Sequence, residues 1–139
     1  MSRFVLSGPN PGLLVRGTID IIARTNVMVV NKDGSISSVR SMSFGLIESD
    51  RTKIAIPRSV WLAHEQVEVL CPTVVPHNGK WVIIGGGGAE SRAKSMGLHL
   101  GVFDNVKHAN AYANRLHLQQ AKAGQQLKAA LRKRKRGVR

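Results

Sequence analysis

The residues best suited to chemistry lie near the end of the chain. RKRKR, residues 132–136, joins Lys128 and Arg139 in a segment without a carboxylate. Asp104 is the last acid. Ten cations follow it, so residues 105–139 carry +10 of a total of +13, leaving +3 for residues 1–104. A guanidinium or ammonium that neutralises a phosphate releases counterions and adds salt-dependent affinity. No aromatic residue interrupts residues 122–139, so base stacking is not expected, and with it single-strand or sequence-specific recognition. The expectation is non-specific contact with double-stranded DNA, or with an acidic neighbour, through Lys128, Arg132, Lys133, Arg134, Lys135, Arg136 and Arg139. The plain alternative is a solvated tail, the common fate of charge blocks.

Other candidate sites carry less. GGGGAESR (85–92) follows a strand-like WVII and suggests a phosphate loop, but the lysine of a Walker loop is missing; a mobile loop is expected. Histidines at 64, 77, 99, 108 and 117 lack metal-ligand spacing, so no metal is expected. Glu48, Asp50, Glu65, Glu68 and Glu90 are the carboxylates open to hydrolytic chemistry, and each sits in a solvated-looking context. No GxSxG occurs. Cys71, the single cysteine, lies in the apolar run VEVLCPTVV, which points to a buried thiol and excludes an internal disulfide. No cofactor is expected.

The elements that must position these residues read as an α+β chain. Its hydrophobic share of 42% with only 4% aromatics calls for a core of Val, Ile, Leu and Ala. GPNPG predicts an extended N-terminal arm over 1–12 that orders against a neighbour. TIDIIA (18–23), NVMVVN (26–31) and TKIAIP (52–57) read as strands. Asp33-Gly34 predicts a tight turn into a returning strand, Ser35–Gly45. On that strand Ile36, Ser38, Arg40, Met42 and Phe44 share one face, and Ser37, Val39, Ser41 and Ser43 the other. Neither face is cleanly apolar, which suits a strand covered by another chain; Ser37, Arg40, Ser41, Met42 and Ser43 are the candidate interface residues.

SVWLAHEQ (59–66) is a short helix or a turn. EVLCPTVV (68–75) and WVIIG (81–85) form a hairpin about Asn78-Gly79. AESRAKSMG (89–97) is a helix stopped by Gly97, and HLGVFD (99–104) an extended link with Asp104 as the cap of a final helix. Val106, Ala109, Tyr112, Ala113 and Leu116 give that helix one apolar stripe. Beyond Gln120 the stripe thins. No run is apolar enough to cross a membrane, and MSRFVLSGPNPG lacks the sustained apolar stretch of a secretory signal; no membrane anchor is expected.

Three ordered stretches carry a resemblance: DGSISSVRSMSFG (33–45), LCPTVV with NGKWV (70–82), and AESRAKSMGLHLGVFDNVKHANAYANRLHLQQ (89–120). Together they resemble a module of tailed-bacteriophage virion proteins whose pattern runs DGSxSTVRSMS, LxPTV, GxHLGxF and AxxYAxxLHxxQ. Gly97, His99, Leu100, Gly101 and Phe103 match the third element, and Ala109, Tyr112, Ala113, Leu116, His117 and Gln120 the last. The GGGG run replaces the family's polar loop, and the arm and basic tail lie outside the match. The resemblance implies a virion setting, with other phage structural proteins as partners and self-association in the particle. It implies no activity for the module itself, although some proteins that contain it also bear lytic domains. Gly97, His99, Gly101, Phe103, Tyr112, Leu116 and His117 are expected to be packing residues of the motif, with His117 bonded to a turn carbonyl.

The combined expectation is antiparallel hairpins packed against a long C-terminal helix, arranged as arm 1–12, module 13–121 and basic helical extension or tail 122–139. The expected role is that of a non-enzymatic virion subunit in head, neck or tail. The rivals are a DNA-associated internal or ejected protein and a cell-wall-degrading ejection factor.

Overall fold

The computed structural model describes residues 4–21, 29–30, 36–37 and 41–137, with side chains described for 4–21, 41–120 and 122. The strands are β1 (Leu13–Arg16), β2 (Val29–Val30), β3 (Ile36–Ser37), β4 (Ser41–Ile47), β5 (Gln66–Pro72), β6 (Val74–His77), β7 (Lys80–Ile83) and β8 (Gly101–Phe103). The helices are α1 (Arg58–Ala63), α2 (Gly86–Met96) and α3 (Val106–Gly137). A four-stranded antiparallel sheet in the order β1-β8-β5-β4 forms the centre, and β2-β3 and β6-β7 are separate two-stranded ribbons. The class is mixed α+β, as the sequence predicts.

The central strand β5 is buried on both faces. Side chains alternate across a strand, so Val67, Val69 and Cys71 meet Phe44, Leu46 and Val102 on one side under Ala89 and Ala93 of α2. Leu70 turns the other way and joins Leu100, Phe103, Ala109, Tyr112, Ala113 and Leu116 under α3. Two-sided burial explains why VEVLC shows no polar alternation apart from Glu68. Ala89 and Ala93, one turn apart and each 1% exposed, let α2 lie close on the sheet.

Turn chemistry follows residue type. Asn78 and Gly79 both have positive φ, 50° and 76°, as a two-residue primed hairpin turn requires. Gly97 ends α2 in the left-handed region at φ 69°, and its amide donates to Ala93 O at 2.8 Å. A Cβ there would stand 2.8 Å from Lys53 O, so steric room as well as φ demands glycine.

Several elements depart from the sequence reading. Residues 51–57 form no strand: Ile54 is buried, but Lys53 N donates to Lys94 O across to α2 and Pro57 opens α1. The stretch 18–21 is a turn, residues 22–28 lie outside the description, and β1, which pairs with β8, had no strong strand signal. The expected strand 35–45 contains β3 and β4, with 35 and 38–40, like the expected Asp33-Gly34 turn, outside the described residues. The run 68–75 is divided at Thr73 into β5 and β6. Gly86–Gly88 are the first turn of α2 rather than a mobile loop, since an N-terminal turn already lacks half its hydrogen bonds and tolerates weak formers.

Asn105 supplies the side-chain cap expected from Asp104. Its Oδ1 accepts from His108 N at 2.9 Å, while Asp104 Oδ1 meets His108 Nδ1 at 2.6 Å. Residues 4–12 of the expected arm are not left to a neighbour, and residues 1–3 lie outside the described residues. Leu6 is 5% exposed within the α3-side core, and its amide donates to Tyr112 Oη at 3.0 Å. Arg115 clamps the same segment by donating to Ser7 O, Pro9 O and Asn10 Oδ1 at 2.8–3.0 Å. One guanidinium with several donors can tie down carbonyls that no strand partner satisfies.

Candidate polyanion interface

The backbone of the basic segment is helical. Among the described side chains of α3, the buried ones are Ala109, Tyr112, Ala113, Leu116 and Gln120, the docked stripe. The helix then continues to Gly137, about 25 Å further at 1.5 Å per residue. Lys128, Arg132, Lys133, Arg134, Lys135 and Arg136 are all on this continuation; their side chains, and the whole of Arg139, lie outside the described residues. Stripe and basic segment thus belong to one continuous helix.

Of the candidate interface residues, Ser41, Met42 and Ser43 lie on β4 and are half-buried within the chain. Met42 turns toward α2, packs with Phe44 and Leu46, and sits where a Cβ on Gly86 would be 3.4 Å from its sulfur. Ser41 and Ser43 occupy the opposite face of β4, the α3 side. Ser41 Oγ is 3.5 Å from His117 Nε2, so His117 meets a strand hydroxyl and not the turn carbonyl expected for it. Ser41 and Met42 make side-chain contacts within the chain, and Ser43 pairs with Leu70 in the β4–β5 ladder. Arg40 and the side chain of Ser37 are outside the description.

The motif residues pack as a unit. Phe103 and Tyr112 rings stand 5.1 Å apart at a tilt of 48°, and both are buried with Leu116. Tyr112 also accepts the Leu6 amide, and burial raises its hydroxyl above the usual range. His99 is fully buried. Its backbone exchanges bonds with Thr18: His99 N donates to Thr18 Oγ1 and Thr18 N to His99 O.

Neither ring nitrogen of His99 finds a partner among the described residues, nor does the side-chain amide of Gln120. Such orphaned groups are uncommon in folded interiors. Burial pushes the His99 imidazole from 6.5 down to about 4, with the Gly101 backbone offsetting this in part. His117 is lowered too, by burial. The resemblance singled out both residues, but only tertiary contact makes His99 a neutral, enclosed base.

A pH dependence follows. Above pH 6.5 both folded and unfolded His99 are neutral. As pH falls from 6.5 toward 4 the unfolded chain takes up a proton that the folded one refuses, so stability falls with acidification. At 1.36 kcal/mol per unit, the loss from His99 between pH 7 and 4.5 is about 2 kcal/mol. Urea unfolding of wild type and His99→Leu at the two pH values measures it. The variant should show a drop smaller by that amount, and an equal drop in both proteins would refute the assignment.

Cys71 is inert by the same physics: burial first, then the Glu90 carboxylate, push its thiol up to about 12. Among the described residues no three His, Cys, Asp or Glu side chains could together hold a metal, and no helix is long and apolar enough to cross a membrane. None of the protein-family models, curated proteins or solved structures compared with this chain matches it.

Proposed function

We propose that this protein is a non-enzymatic structural subunit of a tailed-bacteriophage virion, present in repeated copies in head, neck or tail, and that its basic helix contacts packaged DNA. The observation that carries the polyanion contact is the unbroken α3 backbone, which runs from the packed stripe through RKRKR. Lys128, Arg132, Lys135 and Arg136 are spaced i, i+4, i+7 and i+8, the spacing of one helical face. About 25 Å of helix lies alongside roughly fifteen phosphate charges of a duplex, at one per 1.7 Å. The virion setting is supported by the ordered motif DGSISSVRSMSFG, LCPTVV and GLHLGVF through ANAYANRLHLQQ.

Quantitative mass spectrometry of gradient-purified particles from the phage that encodes the chain tests the reading. Multiple copies per particle, retained when the genome is expelled, are the expected result. Loss of the protein with the expelled DNA would replace the structural reading with that of an ejected, DNA-associated protein. Absence from particles would refute the virion assignment. Cleavage of peptidoglycan by the purified protein, abolished by Glu65→Gln or Glu90→Gln, would replace it with a lytic factor.

A further inference from the structure

A second cationic surface lies on the body, away from α3. A groove of about 600 Å³ runs between residues 51–53 and the exposed side of α2. Arg51, Lys53 and Lys94 line it, with hydroxyls from Thr52, Ser91 and Ser95. Its one lining acid, Glu90, is already occupied by Lys94 at 3.7 Å. The nearby Asp50 carboxylate is engaged in its own turn, where Oδ2 accepts from Ile47 N at 3.1 Å.

The groove walls are held in place by backbone. Lys53 N donates to Lys94 O at 2.7 Å, and Thr52 Oγ1 accepts from Ile54 N at 3.0 Å. The carbonyl end of a helix ordinarily repels anions. Here those carbonyls are capped: Ala93 O by Gly97 N, Lys94 O by Lys53 N, and Arg92 O by Ser95 Oγ. The negative end of α2 is therefore partly neutralised where the lysines converge.

We propose that this groove is a second phosphate-contact surface for the backbone of the same DNA duplex that the basic helix engages. The inference rests on the DNA reading above. The groove is open along its length, which suits an extended polyanion backbone better than a small ligand, whose sites are enclosed. Residues 1–104 carry only +3; with Lys94 and Glu90 paired, Arg51 and Lys53 still leave the groove lining at a net +2. Two binding regions on one chain also raise the effective concentration of the second once the first is bound.

Salt titration of the full chain on a 20-base-pair duplex, read by fluorescence anisotropy, tests this. Arg51→Gln with Lys53→Gln should flatten the plot of log Kd against log salt by about 2, at roughly 0.9 for each phosphate that is no longer neutralised. Arg58→Gln with Lys80→Gln, a charge-matched pair at exposed positions outside the groove, should change it far less. Amide resonances of Thr52 and Ser91 should shift on addition of duplex to the wild-type chain. Equal slopes for the two double variants, or unmoved amides, overturn the groove and leave the helix reading intact. If neutralising residues 132–136 has no effect while the groove pair does, the helix reading falls and the groove stands. No duplex binding by the wild-type chain overturns both.

Discussion

Replacing Arg132, Lys133, Arg134, Lys135 and Arg136 together with glutamine is expected to remove most of the salt dependence of duplex binding. Five neutralised phosphates at about 0.9 each give a slope contribution near 4.5. Raising salt from 50 to 200 mM then weakens wild-type binding by roughly 500-fold through these residues alone. The variant should lose that factor while its body remains folded, because the packed residues described on α3, Ala109 to Gln120, all precede the substituted positions and glutamine is a fair helix former. Anisotropy measured across the salt range, with circular dichroism to confirm helicity, decides it. A slope within about 1 of wild type would mean that the basic run touches no phosphate, and the polyanion role of the helix would fall.

Phe103→Ala is expected to cost about 4 kcal/mol of folding stability, within the 3–5 kcal/mol range for deleting a buried Phe ring. The ring is fully buried and stands against Tyr112 between the sheet and α3. It shares its cluster with Leu6, Leu70 and Leu116, so the void would open where N-terminal segment, sheet and helix meet. That cost is a large share of the 5–15 kcal/mol by which domains are ordinarily stable. Val106→Ala, at a half-exposed position on the first turn of α3, should change stability by less than about 0.5 kcal/mol. Urea denaturation of both variants provides the comparison. A cost below about 1 kcal/mol for Phe103→Ala would show that α3 does not rest on this ring in solution.

Local rules reached the features whose physics is local. Asn78-Gly79 specified its turn because both residues accept positive φ, and Gly97 its helix stop for the same reason. The stripe from Ala109 to Leu116 announced the packed face of α3 through its 3.6-residue period. The charge asymmetry about Asp104 needs no fold to be read. The candidate phosphate-binding residues of the basic run were therefore visible from composition alone, although nothing in the sequence could show that they extend a docked helix without a break.

Long-range contacts decided the rest. Residues 52–57 have strand-like composition, yet their amide at Lys53 was claimed by the end of α2, more than 40 positions away. The segment 4–12 reads as a loose arm because prolines and glycines carry no signal of burial. Arg115 and Tyr112, over a hundred residues distant, supply the bonds that hold it. The described part of the serine strand, β4, looked unowned in sequence because α2 packs on one of its faces and α3 on the other, and neither helix is adjacent to it in the chain. Sequence determined the turns, the amphipathic helix and where the charge sits, since each depends on neighbours within a turn or two. Only the tertiary structure decided that His99 is enclosed and neutral, that Ser41 faces His117, and that Arg51, Lys53 and Lys94 line one groove. Those relations depend on which distant segments share a surface, and no local spacing records that.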